Sequence, residues 1–265
     1  MEFNAKNARS IAFRTMLLGE YPQTVKADEV SILGEIDARG YYLGSDGAYY
    51  VRSLANMYES HSAYTFSTGE QIKNGELYYF KLEPIRWRIL IENGDKAFLL
   101  CDSILASHCY DPTSNKYSRS EIRAWLNGEF YHTAFDEVQK SRIRTTTVDN
   151  SARTTREKWN LRASRSTKDK IFLLSYQEWL SEEYQFNSDL LAYDEARRIQ
   201  TSDYARATGT LICTNEWDYG FGCWWLRSPS RDRKRVACMG AYDGSCGRAG
   251  VGQRFGVAPA MWIQL

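Results

Sequence analysis

Leu77-Tyr78-Tyr79-Phe80-Lys81-Leu82 runs through Glu83-Pro84 into Ile85-Arg86-Trp87-Arg88-Ile89-Leu90-Ile91, and Asn93-Gly94 carries it on to Lys96-Ala97-Phe98-Leu99-Leu100-Cys101. Between Ile85 and Ile91 apolar and polar side chains alternate, the two-residue period of a strand with one buried face. Asn-Gly is the dipeptide that two-residue hairpin turns prefer, because both positions tolerate positive φ. The stretch therefore predicts an antiparallel meander with a single buried face.

Upstream, Leu17 to Gln23 is an apolar run that meets Pro22, read as a strand leading into a loop, and Gly40 to Val51 holds two aromatic runs joined through Asp46-Gly47, a second hairpin signal. Downstream the period changes. Ser118 and Ser120 are candidate N-caps for Glu121 to Leu126, where Ile122, Trp125 and Leu126 fall at i, i+3 and i+4. Gly128 reads as an interruption, with a second helix from Ala134 to Ile143 burying Phe135, Val138 and Ile143. Residues 145–167 are polar and basic and read as a long loop. Lys170 to Leu174 reads as a strand, Tyr176 to Glu182 as a short helix, and Asp194 as the start of a helix through Tyr204 that closes near Gly209. Strands gather at both ends of the chain with helices between, an order that argues α+β and against a parallel βαβ sheet.

The 265 residues carry 34 basic and 33 acidic side chains, so no global field recruits nucleic acid or an anionic membrane. Eighteen Tyr and eight Trp are a heavy aromatic load that serves a core and a binding surface equally. Met1 to Lys6 has no basic-then-apolar leader, and no apolar run reaches the length of a membrane span. Those readings place the chain in the cytoplasm or on a phage particle, with surface display still open. The six cysteines (Cys101, Cys109, Cys213, Cys223, Cys238, Cys246) form no C-x-x-C pair, and reduced thiols are the expectation. His108-Cys109 with Asp111 lacks a second ligand pair, so His108 reads as a half-exposed strand-end histidine, and no metal or cofactor is expected.

Several segments carry a resemblance to a known family. They are Gly19-Glu20-Tyr21-Pro22-Gln23-Thr24, Glu83 to Leu90, Glu121 to Asn127, Phe130 to Phe135, Lys170 to Ser175, Asp203 to Gly209, Trp224-Trp225-Leu226-Arg227-Ser228-Pro229 and Gly256 to Ala260. The chain resembles a bacterial and phage domain family with a C-type-lectin-like fold (the formylglycine-generating-enzyme type), similar to variable proteins of diversity-generating retroelements. The resemblance implies one domain over 1–265, with 1–75 a strand and hairpin region and 224–265 a C-terminal variable segment. Within that segment Ala237, Asp243-Gly244 and Gly256 to Ala260 correspond to fixed points, whereas Cys238 and Gly240 stand where the family commonly has Arg and Val.

Read on its residues alone, the stretch from Ser230 to Gly256 holds six glycines (Gly240, Gly244, Gly247, Gly250, Gly252, Gly256) and only broken alternation. It reads as exposed, irregular chain between two apolar strands, with little core and with Gly240 casting doubt on a strand; loops held by a rigid scaffold are where binding residues are commonly carried. The expected contact residues are Ser230, Arg231, Asp232, Arg233, Lys234, Arg235, Cys238, Met239, Ala241, Tyr242, Ser245, Arg248, Gln253, Arg254 and Phe255. A mix of Arg, Tyr, Phe and Ser suits non-catalytic recognition of a protein or other macromolecule. Display requires residues 231, 233, 235, 242, 248 and 254 to be exposed and clustered. Two alternatives stand beside it. Arg231, Arg233, Lys234 and Arg235, with Arg153, Arg156, Lys158, Arg162 and Arg165, would suit nucleic acid or another anionic ligand. Cys238 and Cys246 would suit a formylglycine-generating-enzyme-like oxidase. Trp87, Trp125, Trp225 and Trp262 are expected in the core, and Arg227 beneath the variable loops as a partner for buried carbonyls.

Overall fold

The computed structural model of the protein describes residues 13–34, 37–58 and 64–265, so the readings made on Met1 to Lys6 and on His61 lie outside the described residues. The chain opens with strands β1 (Thr15–Val25), β2 (Ile32–Leu33), β3 (Tyr42–Gly44) and β4 (Tyr49–Leu54). Strands β5 (Leu77–Asn93), β6 (Lys96–Cys101), β7 (Ser103–Ile104) and β8 (Ala106–Cys109) follow. Helices α1 (Glu121–Trp125), α2 (Tyr131–Ala134) and α3 (Glu137–Arg142) then precede β9 (Thr146–Val148) and β10 (Thr167–Asp169). After α4 (Tyr176–Trp179) come β11 (Gln200–Thr201) and α5 (Asp203–Ala207). The last strands are β12 (Trp224–Pro229), β13 (Val236–Gly240), β14 (Cys246–Gly250), β15 (Arg254–Val257) and β16 (Ala260–Gln264).

The meander centred on Ile85 to Ile91 forms as its alternation predicts, and β5 is the spine of a seven-stranded antiparallel sheet. Phe80 pairs with Val51 of β4 and with Val25 of β1, so those strands take opposite edges of β5; β6 pairs farther along, with Asn93 opposite Lys96 across the Gly94 turn. A second sheet of five strands runs β14-β13-β12-β15-β8, with only the β12–β15 pair parallel. Mostly antiparallel sheets with short helices make the chain α+β. Two neighbouring connections stitch the sheets together. The chain leaves the first sheet at β6 for β8 and returns from β15 to β16, and Cys101 and Leu105 donate their N–H groups to the carbonyls of Pro259 and Val257. Trp87, Leu99 and Ile263 of one sheet and Trp224, Trp225 and Phe255 of the other share one apolar core.

Several local expectations change. Pro22 sits inside β1, where register shifts on either side mark bulges that tolerate a missing donor. Pro84 likewise lies within a single 17-residue β5. Gly128 does not break its helix; Leu126–Phe130 forms a π-turn that joins α1 to α2. The helix expected from Ala134 starts only after Asp136, whose capping box with Gln139 fixes the N-terminus, and Val138 faces solvent while Phe135 and Ile143 are buried outside it. Lys170 to Leu174 is not a strand: the chain bends at Lys170 and Ile171 and pairs through a lone bridge from Phe172 to Ala260. The helix expected from Asp194 resolves into a 3-10 turn at Glu195–Arg197, then β11, then α5 capped by Ser202. Trp87 and Trp225 are buried as expected, whereas Trp125 and Trp262 are only partly covered.

The largest correction concerns Ser230 to Gly256. It is not irregular chain; it supplies β13, β14 and β15 of the second sheet. Ala237, Cys238, Ala249, Val251 and Phe255 are core. Gly240, Gly244, Gly247 and Gly256 stand where a side chain has no room, whereas Gly252 faces open space. A Cβ on Gly240 would stand 2.8 Å from Trp224 Nε1 and 3.1 Å from Trp179 Nε1, so two indoles fill the face that a side chain would occupy. Gly244 takes φ 77° in the β13–β14 turn, a conformation glycine reaches without penalty.

Candidate functional site

The β13–β14 hairpin hangs from β12, whose six residues are all buried. At the foot of β12, Arg227 donates from Nη1 to the Leu173 carbonyl at 2.6 Å and from Nη2 to that of Asp149 at 3.2 Å. Both guanidinium nitrogens also meet the Glu178 carboxylate, a two-point ion pair. Burial pushes the Glu178 carboxyl up, but the Arg227 charge and the N–H and hydroxyl of Ser175 outweigh it, and the group titrates below its ordinary range. Ser175 and Glu178 form the capping box of α4, so one carboxylate holds both a helix end and the sheet.

The chain leaving β12 is pinned from within. Buried Asn115 donates through its amide to the carbonyls of Ser230, Arg233 and Val236 at 3.1, 2.9 and 2.8 Å, and its own N–H meets Lys234 O at 3.1 Å. With the backbone captured on one side, the side chains of Arg231, Asp232, Arg233, Lys234 and Arg235 project into solvent. The loop over 150–165 lies alongside. Asn160 donates to Pro229 O at 3.0 Å, Ser228 to Thr154 O at 3.0 Å, and Glu157 faces Arg248 at 3.7 Å. Arg153, Arg156, Lys158 and Arg165 of that loop are exposed and Arg162 half-buried, so the two basic clusters flank each other across β14.

The expected contact residues divide. Arg231, Asp232, Arg233, Lys234, Arg235, Tyr242, Arg248, Gln253 and Arg254 are exposed, and Met239, Ala241 and Ser245 are half-buried. Cys238 and Phe255 are buried and offer a ligand nothing, Phe255 packing on Trp225 with ring centres 5.1 Å apart, and Ser230 is buried at the border of the hairpin hollow. The exposed ones do not form one patch. Asp232, Arg233, Arg248 and Gln253 line a hollow of about 520 Å³ at the open end of the hairpin. Tyr242 sits at its closed end beside Arg198, and Arg254 lies on β15 at the far side of the sheet, next to β8. Sequence reasoning missed Asn115, the anchor of the basic loop; a single amide carries no pattern.

Cys238 and Cys246 meet on adjacent strands. The two thiols act on each other, and Arg248, Arg156 and Arg197 lie near, so Cys246 titrates below and Cys238 above the ordinary thiol range. His108 is half-buried in β8, and Asp111 spends one carboxylate oxygen on the N–H groups of Thr113 and Ser114. Among the described residues, no group of three or more His, Cys, Asp or Glu is arranged to hold a metal, and no helix is long and apolar enough to cross a membrane.

The family described as "Domain of unknown function (DUF6273)" matches residues 94–265, from the Gly94 turn through β16. No curated protein and no solved structure matches the chain. That match takes in the whole second sheet and its basic flank, and the chain belongs to the DUF6273 family.

Proposed function

We propose that the chain is a non-catalytic recognition protein of the C-type-lectin-like kind, a variable protein of a diversity-generating retroelement that presents exchangeable side chains on a fixed sheet. The observation that carries this reading is the division of labour along 230–256. Ala237, Ala249, Val251 and Phe255 are buried, while residues 231, 233, 235, 242, 248 and 254 are exposed. Side chains that face solvent from a packed sheet are free to vary without cost to the core. All six are exposed, but the expected single cluster does not form: Arg233 and Arg248 meet at the open end of the hairpin, on the loop that also carries Arg231 and Arg235, whereas Tyr242 and Arg254 stand apart, so the proposed contact area is confined to that open end with the 150–165 loop. Close copies of the gene, and its locus, test the idea. Substitutions concentrated at the exposed positions, with a reverse transcriptase and a near-copy template nearby, are expected; substitutions spread evenly over buried and exposed positions would end it.

The adjoining basic clusters favour a second reading, binding of an anionic macromolecule. Fluorescence anisotropy with single-stranded DNA at two salt concentrations separates the two. Nucleic-acid binding requires a steep fall in affinity with salt, and salt-independent or absent binding removes it.

A further inference from the structure

β13 and β14 set two thiols on one face of the hairpin. Cys238 stands opposite Arg248 and Cys246 opposite Gly240, so the thiols occupy diagonal positions on neighbouring strands. Glycine opposite Cys246 means that no other β13 side chain competes with Cys238 for its sulfur, and the two side chains act directly on each other. Both cysteines are free. Their access differs: Cys238 is 3% exposed, whereas Cys246 is half-buried on the outermost strand of the second sheet. A reagent from solvent therefore meets Cys246 first and finds the second thiol behind it.

The surroundings are basic. Arg248 is the cross-strand neighbour of Cys238, Arg156 comes from the 150–165 loop, and Arg197, stacked on Trp179 at 4.1 Å, faces Cys246 from the other side. Glu157 and Tyr176 are the remaining ionisable groups turned toward the pair, and Glu157 already faces Arg248. Positive charge around a partly exposed thiol favours the thiolate, which is the nucleophile of disulfide exchange. The spacing decides what kind of bond can follow. Diagonal Cα atoms of an antiparallel pair lie about 7–8 Å apart, beyond the roughly 4.4–6.8 Å usual across a disulfide. A bond here pulls the two strands toward each other, and strained disulfides are the readily reduced ones.

The geometry points to a redox modification site, at which Cys246 and Cys238 exchange with a small disulfide of the glutathione type and close a reversible bond across the hairpin. The Cys246 thiolate attacks one sulfur of the small disulfide; that S–S bond breaks, and one thiolate leaves. Cys238 then loses its proton, attacks the Cys246 sulfur and expels the second thiolate. Two electrons pass from the cysteines to the small disulfide, and the leaving thiolates take up the two protons released. Arg248 stands opposite Cys238 and lines the hairpin hollow, so the bond reshapes one wall of that hollow. The inference is independent of what the hairpin surface recognises.

The reduced full chain, incubated with oxidised glutathione at mildly alkaline pH and then alkylated, tests it by intact mass and peptide mapping. The native chain is expected to lose two hydrogens and to yield Cys238 and Cys246 in one joined fragment, and reduced glutathione should restore both thiols. Amide exchange over 236–250 should change on oxidation and return on reduction. Cys238→Ser should stop at a glutathione adduct on Cys246. Cys246→Ser should slow exchange at Cys238 by roughly tenfold or more, since the buried thiol is then reached only through local opening. Mapping of the native chain decides the question even where a variant fails to fold. A folded native chain with no Cys238–Cys246 link overturns the inference. So does a link that millimolar reduced glutathione leaves intact, amide exchange identical in the two states, or an unchanged rate at Cys238 in Cys246→Ser.

Discussion

Arg227 and Glu178 form the ion pair on which the display sheet stands. Arg227 is almost wholly buried and serves two carbonyls as well as the carboxylate, so removing it strands several acceptors at once. Arg227→Met should cost about 3–5 kcal/mol in urea denaturation, the range for breaking a buried pair from one side. The pH dependence follows from the lowered carboxyl of Glu178. Its contribution is complete above the ordinary value of 4.5 and is lost as the pH falls through the depressed folded value. Glu178→Gln should therefore be less stable than the native chain near neutral pH, with the gap closing in acid; a gap constant with pH would refute the assignment. Among the thiols, Cys246 should react first with iodoacetamide near pH 8, since its thiolate is favoured by Cys238 and nearby arginines. Cys101 and Cys223, pushed up to about 12 by burial, should react only on unfolding.

At the scale of elements, the hairpins and the helix caps were legible because each rests on local chemistry. The chain turns one residue beyond the expected dipeptide, at Gly94-Asp95, with Gly94 at φ 62° and Asn93 still paired with Lys96; Ser120 caps α1, and Ser175 with Glu178 is a capping box visible in four residues. The glycine-rich strands were not legible. A period of two counts side chains, and at Gly240 in β13 the missing one is replaced by Trp179 and Trp224, while at Gly247 in β14 the Met239 side chain takes the space. Gly240→Val should consequently destabilise by about 1–3 kcal/mol through overpacking, although valine is the better strand former. The basic loop was legible as a surface run, but its anchor was not, because Asn115 lies more than a hundred residues away. Asn115→Ala should speed amide exchange over 230–236 and cost about 1–3 kcal/mol for the carbonyls it abandons.

For the whole molecule, the α+β class could be read from strand clusters at both ends of the chain, whereas the way the two sheets share it could not. The paired crossings β6-to-β8 and β15-to-β16 make each sheet depend on the other. Thermal unfolding followed by near-UV and far-UV circular dichroism should give one coincident transition, and separate midpoints would mean that the sheets melt independently. The same crossings bear on how the protein is made. β6 emerges from the ribosome with one edge open, and its partner β16 lies more than 150 residues later. Contacts of such long range are slow to form, and an unpaired apolar edge is a template for association in the meantime. Until residue 264 is synthesised, the nascent chain carries that edge through the cell, and it is there that a chaperone would have to hold it.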